Sequence, residues 1–160
     1  MKVQIVSDSC AHGQLPANVT VVPNTIIVQG KSYQEGVDLS AEDALRLFSH
    51  QTYAPLIHVP TQDDYLAVYE RLARDADAII SIHASREILP SWQNARAAAQ
   101  QIMGHCQIEV IDSRTISAGQ AMLIRLAARS LADGDSFDET IRQLRGAIDR
   151  IYSVYYVEST

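Results

Sequence analysis

Glycine is scarce and never clustered: the 160 residues hold seven, each standing alone. Neither the dinucleotide fingerprint nor a phosphate-cradling P-loop can be assembled from single glycines, and no G-x-S-x-G elbow occurs to present a hydrolase serine. Only two cysteines are present, Cys10 and Cys106. They lie far apart without chelating spacing, so neither a disulfide framework nor a zinc site is indicated, and a reducing, cytoplasmic setting fits. Positive charge is in deficit too: the formal net charge is −6. With no Lys/Arg cluster interleaved with aromatics, nucleic-acid binding has no electrostatic source. No apolar stretch approaches the ~20 residues that cross a bilayer, and Met1-Lys2-Val3 leads into a strand pattern rather than a signal sequence.

What the chain does contain is a repeated phrase. The run Val3-Gln4-Ile5-Val6 stops at Ser7-Asp8-Ser9, and Ile108-Glu109-Val110-Ile111 stops at Asp112-Ser113. Short β-branched runs that end in small polar residues read as parallel strands, whose carboxyl ends are where open α/β sheets hold ligands. Further strand patterns cover residues 19–22 continuing through 25–28, then 56–59, 78–82 and 154–157. Between them fall helical stripes. Ser40 with Asp43, Thr61 with Asp64 and Ser136 with Glu139 form capping-box spacings ahead of three of these, and Gly134 stands where a left-handed C′ residue belongs. A stripe of Trp92, Ala95, Ala99 and Ile102 marks another helix, and one more runs over about residues 117–133. The expected architecture is α/β, a mainly parallel sheet with helices on both faces, in one domain over 1–160. Residues 19–36 break the alternation. Pro23 interrupts them, Gln29-Gly30-Lys31 reads as a tight turn, and Ser32-Tyr33-Gln34 as a hairpin arm at a sheet edge.

This scheme brings Asp8-Ser9-Cys10, His58, His83-Ala84-Ser85 and Asp112-Ser113 to one rim. Each also has a plainer reading, because Asp and Ser after a strand cap the following turn, and a histidine at a strand end is often simply hydrogen-bonded. Asp112 is read as such a turn residue, Cys10 and Cys106 as buried thiols, and Ser9 either way. His58, His83 and Cys10 lack the short spacing of a metal site. No catalytic motif appears, so neither enzyme chemistry, cofactor nor metal is expected.

The order of segments resembles the amino-terminal domain of the DegV family, bacterial proteins that hold a fatty acid in a two-domain body. The matching pieces are Ile5-Val6-Ser7-Asp8-Ser9, Val21-Val22-Pro23, Gly30-Lys31-Ser32-Tyr33-Gln34-Glu35-Gly36 and Val37-Asp38-Leu39-Ser40. Later come Ser91-Trp92-Gln93-Asn94-Ala95 and Val110-Ile111-Asp112-Ser113 with Ser117 and Gly119. The resemblance implies strand ends and helix starts that clamp a carboxylate while the acyl tail threads into the core. The family's Thr-Ser-Gln-Pro clamp segment reads Ile57-His58-Val59-Pro60 here, and its Ser-Gly-Thr segment reads Leu89-Pro90-Ser91.

Hydroxyls have thus given way to Ile57, His58 and Leu89, and a glycine N–H to Pro90, which has none. Losing two charge-assisted bonds weakens carboxylate binding by roughly a hundredfold to ten-thousandfold. An imidazolium at His58 would partly compensate, and Ser91 keeps its hydroxyl. The expected ligand site is therefore Ser9, Cys10, His58, His83 and Ser91, for a lipid or other small molecule with an altered head-group site. The alternative is a ligand-free interaction module. The segment from Tyr152 resembles the family's entry into a second domain, and the chain ends at Glu158-Ser159-Thr160, so that domain is expected to be absent. Apolar surface left by a missing partner domain points to a homodimer.

Overall fold

The computed structural model describes residues 1–49, 54–102, 104 and 106–154. Four strands, β1 (Val3–Asp8), β2 (Val19–Val22), β6 (Ala78–His83) and β7 (Gln107–Asp112), form a parallel sheet in the order β2-β1-β6-β7. Three others, β3 (Thr25–Val28), β4 (Lys31–Gln34) and β5 (Leu56–His58), form a small antiparallel sheet in the order β4-β3-β5. The helices are α1 (Ala41–Ser49), α2 (Gln62–Ala73), α3 (Ser91–Ala99), α4 (Ala118–Ala132) and α5 (Phe137–Ile148). The expected α/β class and parallel sheet are present.

Strand pleating sorts the core into two layers. From β6, Ala78, Ile80 and Ile82 face α4 and α5 with Leu123, Ile124 and Leu144. The intervening Ile79 faces α2 and α3 with Tyr65, Tyr69, Ala95 and Ala98. Every residue of β6 is buried, as a central parallel strand requires. Local chemistry sets the helix ends. Thr61 and Asp64 form a reciprocal capping box at α2, Ser136 accepts from Glu139 N at α5, and Gly134, at φ 92°, closes α4.

Two expectations need correcting. Residues 19–28 are not one interrupted strand: after Pro23-Asn24 the chain leaves the parallel sheet, and β3 starts the antiparallel one. Residues 56–59 do not join the parallel sheet either. β5 pairs with β3, Thr25 opposite His58, because three residues with an exposed outer face complete a small sheet rather than a core. Of the strand expected over 154–157, Val154 is irregular and the rest lies outside the described residues.

Strands β2 and β7 are the outer pair of the parallel sheet. On β7, Trp92 Nε1 donates to the Val110 carbonyl at 3.2 Å. The guanidinium groups of Arg86 and Arg96 lie 5.6 and 5.1 Å from the Trp92 ring centre.

Gln29, Arg114 and Ser117 are the non-glycine residues with positive φ among those described. Ser117, which precedes α4, has φ 61° and ψ −122°, a conformation glycine adopts freely and serine does not. Replacing Ser117→Gly should therefore raise stability by about 1 kcal/mol, read as an increased urea midpoint with an unchanged slope.

Candidate functional site

The carboxyl end of the parallel sheet carries two connected polar centres. Asp8, at the last position of β1, is fully buried and gathers four donors. Its Oδ1 accepts from Cys10 N at 3.0 Å and Gln120 Nε2 at 2.9 Å. Its Oδ2 accepts from Ala84 N and His83 Nδ1, each at 3.1 Å. Burial alone would drive this carboxyl toward its neutral form, but His83 beside it, Gln120 and the Ala84 N–H outweigh that, and its pKa falls below the ordinary 3.8. His83 Nε2 lies 2.7 Å from Ser81 Oγ, which accepts from the Tyr69 hydroxyl at 2.7 Å. Tyr65 stands edge-on to His83, with ring centres 5.0 Å apart.

Ser81, His83 and Asp8 thus repeat the atom order of a nucleophile–base–acid triad. Ser81 nevertheless lies inside β6, fully buried and capped by Tyr69. No substrate carbonyl can approach its oxygen, so the arrangement ties strands together rather than attacking anything. Cys10 is equally unsuited to nucleophilic chemistry. Burial first, and the negative charge of Asp8 second, push its thiol far above the ordinary range.

The second centre lies on the rim. Ser9 Oγ donates to Glu35 Oε2 at 2.6 Å and accepts from Asn24 N at 2.8 Å. Asn24 Nδ2 reaches Glu35 Oε2 at 2.8 Å and Cys10 Sγ at 3.3 Å. This cluster joins β1, the β2–β3 connection and the turn after β4. Ser9 and Glu35 of this cluster also line a cleft of about 580 Å³ between the parallel sheet, the small sheet and α1, with apolar walls that include Leu15, Val21, Ile26, Leu39, Phe48 and Ile57.

The expected site residues separate into three places. Ser9 lines the cleft and Cys10 stands behind it through Asn24. His83 and Ser91 are fully buried, Ser91 at the start of α3 beside Tyr65. His58 is exposed on β5 and does not line the cleft, although its neighbour Ile57 does. The single-rim picture therefore fails for His58, which belongs to the other sheet. Asp112 is a turn residue: its Oδ1 accepts from Arg114 N at 2.9 Å. Among the described residues, no group of His, Cys, Asp and Glu is placed to hold a metal ion.

Glu35, Asn24 and Gln120 are participants that the sequence reading passed over. Gln120 was detectable as a polar side chain within the small-residue run Ala118-Gly119-Gln120-Ala121, on a helix that faces the core. Nothing local marks Glu35, which meets Ser9 only because the small sheet folds back across 26 residues.

The architecture is an open α/β domain with a largely apolar cleft between its parallel sheet, the small sheet and α1. The family model described as "Uncharacterised protein, DegV family" matches residues 2–160, and the chain belongs to the DegV family. A DegV domain-containing protein of Caldanaerobacter subterraneus is 30% identical over 164 residues, covering 99% of this chain and 57% of the relative. One from Listeria monocytogenes is 32% identical over 150 residues, covering 89% and 52%. The chain thus spans about half the length of these curated relatives. Among solved structures, DegV of Bacillus subtilis, described as a fatty acid binding protein, superposes with a TM-score of 0.84 at 23% identity, over 93% of this chain and 54% of that one. A stearic acid-binding protein of Eubacterium ventriosum gives 0.80 at 25% identity, over 89% and 52%. No helix among the described residues is long and apolar enough to cross a membrane.

Proposed function

We propose that this chain is a non-enzymatic binding domain that holds the apolar body of a lipid in the cleft beside α1. The cleft carries the reading: at about 580 Å³ it falls within the roughly 300–1,000 Å³ of small-molecule sites. Its walls are mainly apolar, and the hydrogen-bonded pair Ser9 and Glu35 is among its lining residues. The ligands named for the B. subtilis and E. ventriosum proteins, fatty acid and stearic acid, support the same class of molecule. The head-group site is altered. Ile57 brings a side chain without a donor to the cleft, His58 turns away from it, and Pro90 has no N–H at the start of α3. The sealed Ser81 and the protonated Cys10 support binding rather than catalysis, and two free thiols suit a reducing, cytoplasmic compartment.

A second reading has its own observation. Val37, Leu45, Leu56 and Ile57 are all more than half exposed around the cleft and its flanking small sheet, a surface fit for docking or self-association.

Native mass spectrometry of protein purified from cells separates the two readings. Lipid holding predicts a stoichiometric adduct on the chain. It also predicts that Ala44→Trp, which fills the cleft from α1, removes the adduct while leaving the fold intact. An adduct-free dimer would favour the docking reading and overturn the first.

A further inference from the structure

The loop that leaves β1 changes character at residue 11. Up to Cys10 it is pinned: Asp8 Oδ1 accepts from Cys10 N at 3.0 Å, and the Cys10 carbonyl accepts from Ser117 N at 3.1 Å. Ala11, His12 and Gly13 then line the cleft, and among the described residues neither their backbone N–H groups nor the His12 ring has a hydrogen-bond partner. His12 is the one basic side chain of the lining. A second cation stands against the same loop: a Cβ at Gly13 would lie 3.6 Å from Nη1 of Arg125, on α4. That guanidinium forms no ion pair with the described residues, whereas Arg129, one turn further along α4, is paired with Asp133 at 3.6 Å. Other polar groups of the lining are less suited to an anion. The Ser9 and Ser40 hydroxyls donate to Glu35 and Asp43, each at 2.6 Å. The first turn of α1 carries Glu42 and Asp43, which counter the pull of its dipole. Glu35 is the one carboxylate of the lining, and its Oε2 already accepts from Ser9 Oγ and Asn24 Nδ2.

We infer that the β1–β2 loop is the head-group receptor of the cleft: an aliphatic acid lies along the apolar walls with its carboxylate against the N–H groups of Ala11, His12 and Gly13, the His12 ring and the Arg125 guanidinium. This rests on the lipid-holding reading and deepens it by naming the ligand's charge and the residues that meet it. An ionised carboxylate leaving water needs several donors and a nearby cation, and this loop has both uncommitted. It has them in a chain where Ile57 brings no side-chain donor to the cleft, His58 faces away from it and Pro90 has no N–H. Exposed ion pairs are individually weak, so the two cations act as a pair and are removed together in the test.

The test is displacement of a fluorescent aliphatic probe from the delipidated 160-residue chain by myristate and by tetradecanol, which share a chain length and differ in charge. Myristate should displace the probe at concentrations about tenfold lower than tetradecanol, and the double variant His12→Ala, Arg125→Gln should lose that advantage while its tetradecanol affinity stays within about twofold. Both side chains are exposed, so the double variant keeps the fold. Arg129→Gln removes the same charge from the same helix and should leave myristate binding unchanged, which separates local contact from net charge. In amide NMR spectra of the unaltered chain, myristate should shift the N–H signals of Ala11, His12 and Gly13 more than tetradecanol does. The inference is overturned, with lipid holding intact, by equal displacement by acid and alcohol, by a myristate advantage that survives the double substitution, or by an equal loss from Arg129→Gln. Amide shifts that spare the loop and fall on Ile57, His58 and Ser91 overturn it as well. Failure of both ligands and of the probe to bind overturns both readings.

Discussion

Replacing Asp8→Asn should lower the unfolding free energy by about 3–5 kcal/mol, because two buried donors would each lose their acceptor at a cost of roughly 1–3 kcal/mol. The reason is a donor count. Asp8 offers two oxygens to four donors: Cys10 N, Gln120 Nε2, Ala84 N and His83 Nδ1. An asparagine of the same shape offers one oxygen and turns its amide N–H groups toward two of those donors, in a site closed to water. Urea unfolding should show the loss as a shifted midpoint, and a loss under about 1 kcal/mol would mean the network is not the tie described. The acid limb gives a second reading. Because the folded pKa of Asp8 lies below its ordinary 3.8, its contribution is fully present above that value and is lost as pH falls through the folded pKa. The stability gap between the two proteins should be constant from neutral pH down to about pH 5 and narrow below pH 4.

Truncating the centre of the sheet should cost nearly as much. Ile80 is fully buried on β6, between β1 and β7 and beneath α4 and α5. Its two neighbouring strands and two covering helices leave little freedom to collapse into a void. Ile80→Ala should therefore destabilise by about 2–5 kcal/mol and Ile80→Val by about 0.5–1.5 kcal/mol. The graded pair separates cavity formation from general intolerance. Equal losses from the two substitutions would show that the site repacks around either side chain.

The parallel sheet and its helices were readable because each rests on a local signal. β1, β6 and β7 are β-branched runs with polar stops, and the caps at Thr61 and Ser136 lie beside the stripes they open. The small sheet was not readable in the same way. Leu56-Ile57-His58 has the composition of a buried parallel strand, and three residues hold too little periodicity to show that one face would meet solvent. That ambiguity carried His58 to the wrong rim. Tyr65 and Tyr69 were legible as core by their spacing, but their hydroxyls acquire a purpose only from Ser81 and His83 on a strand that follows them. Ser9 was visible as a candidate and Glu35 was not. The first stands at a strand end, where general rules direct attention, and the second depends on how a hairpin folds back onto that end.

The indole resting on β7 has a consequence for the molecule's behaviour in a crowded solution. An uncovered outer strand is a template on which identical chains can stack without limit. Here an incoming chain must first dislodge a ring gripped by Arg86 and Arg96 and break its bond to the Val110 carbonyl. Runaway fibre growth along that flank is thereby obstructed.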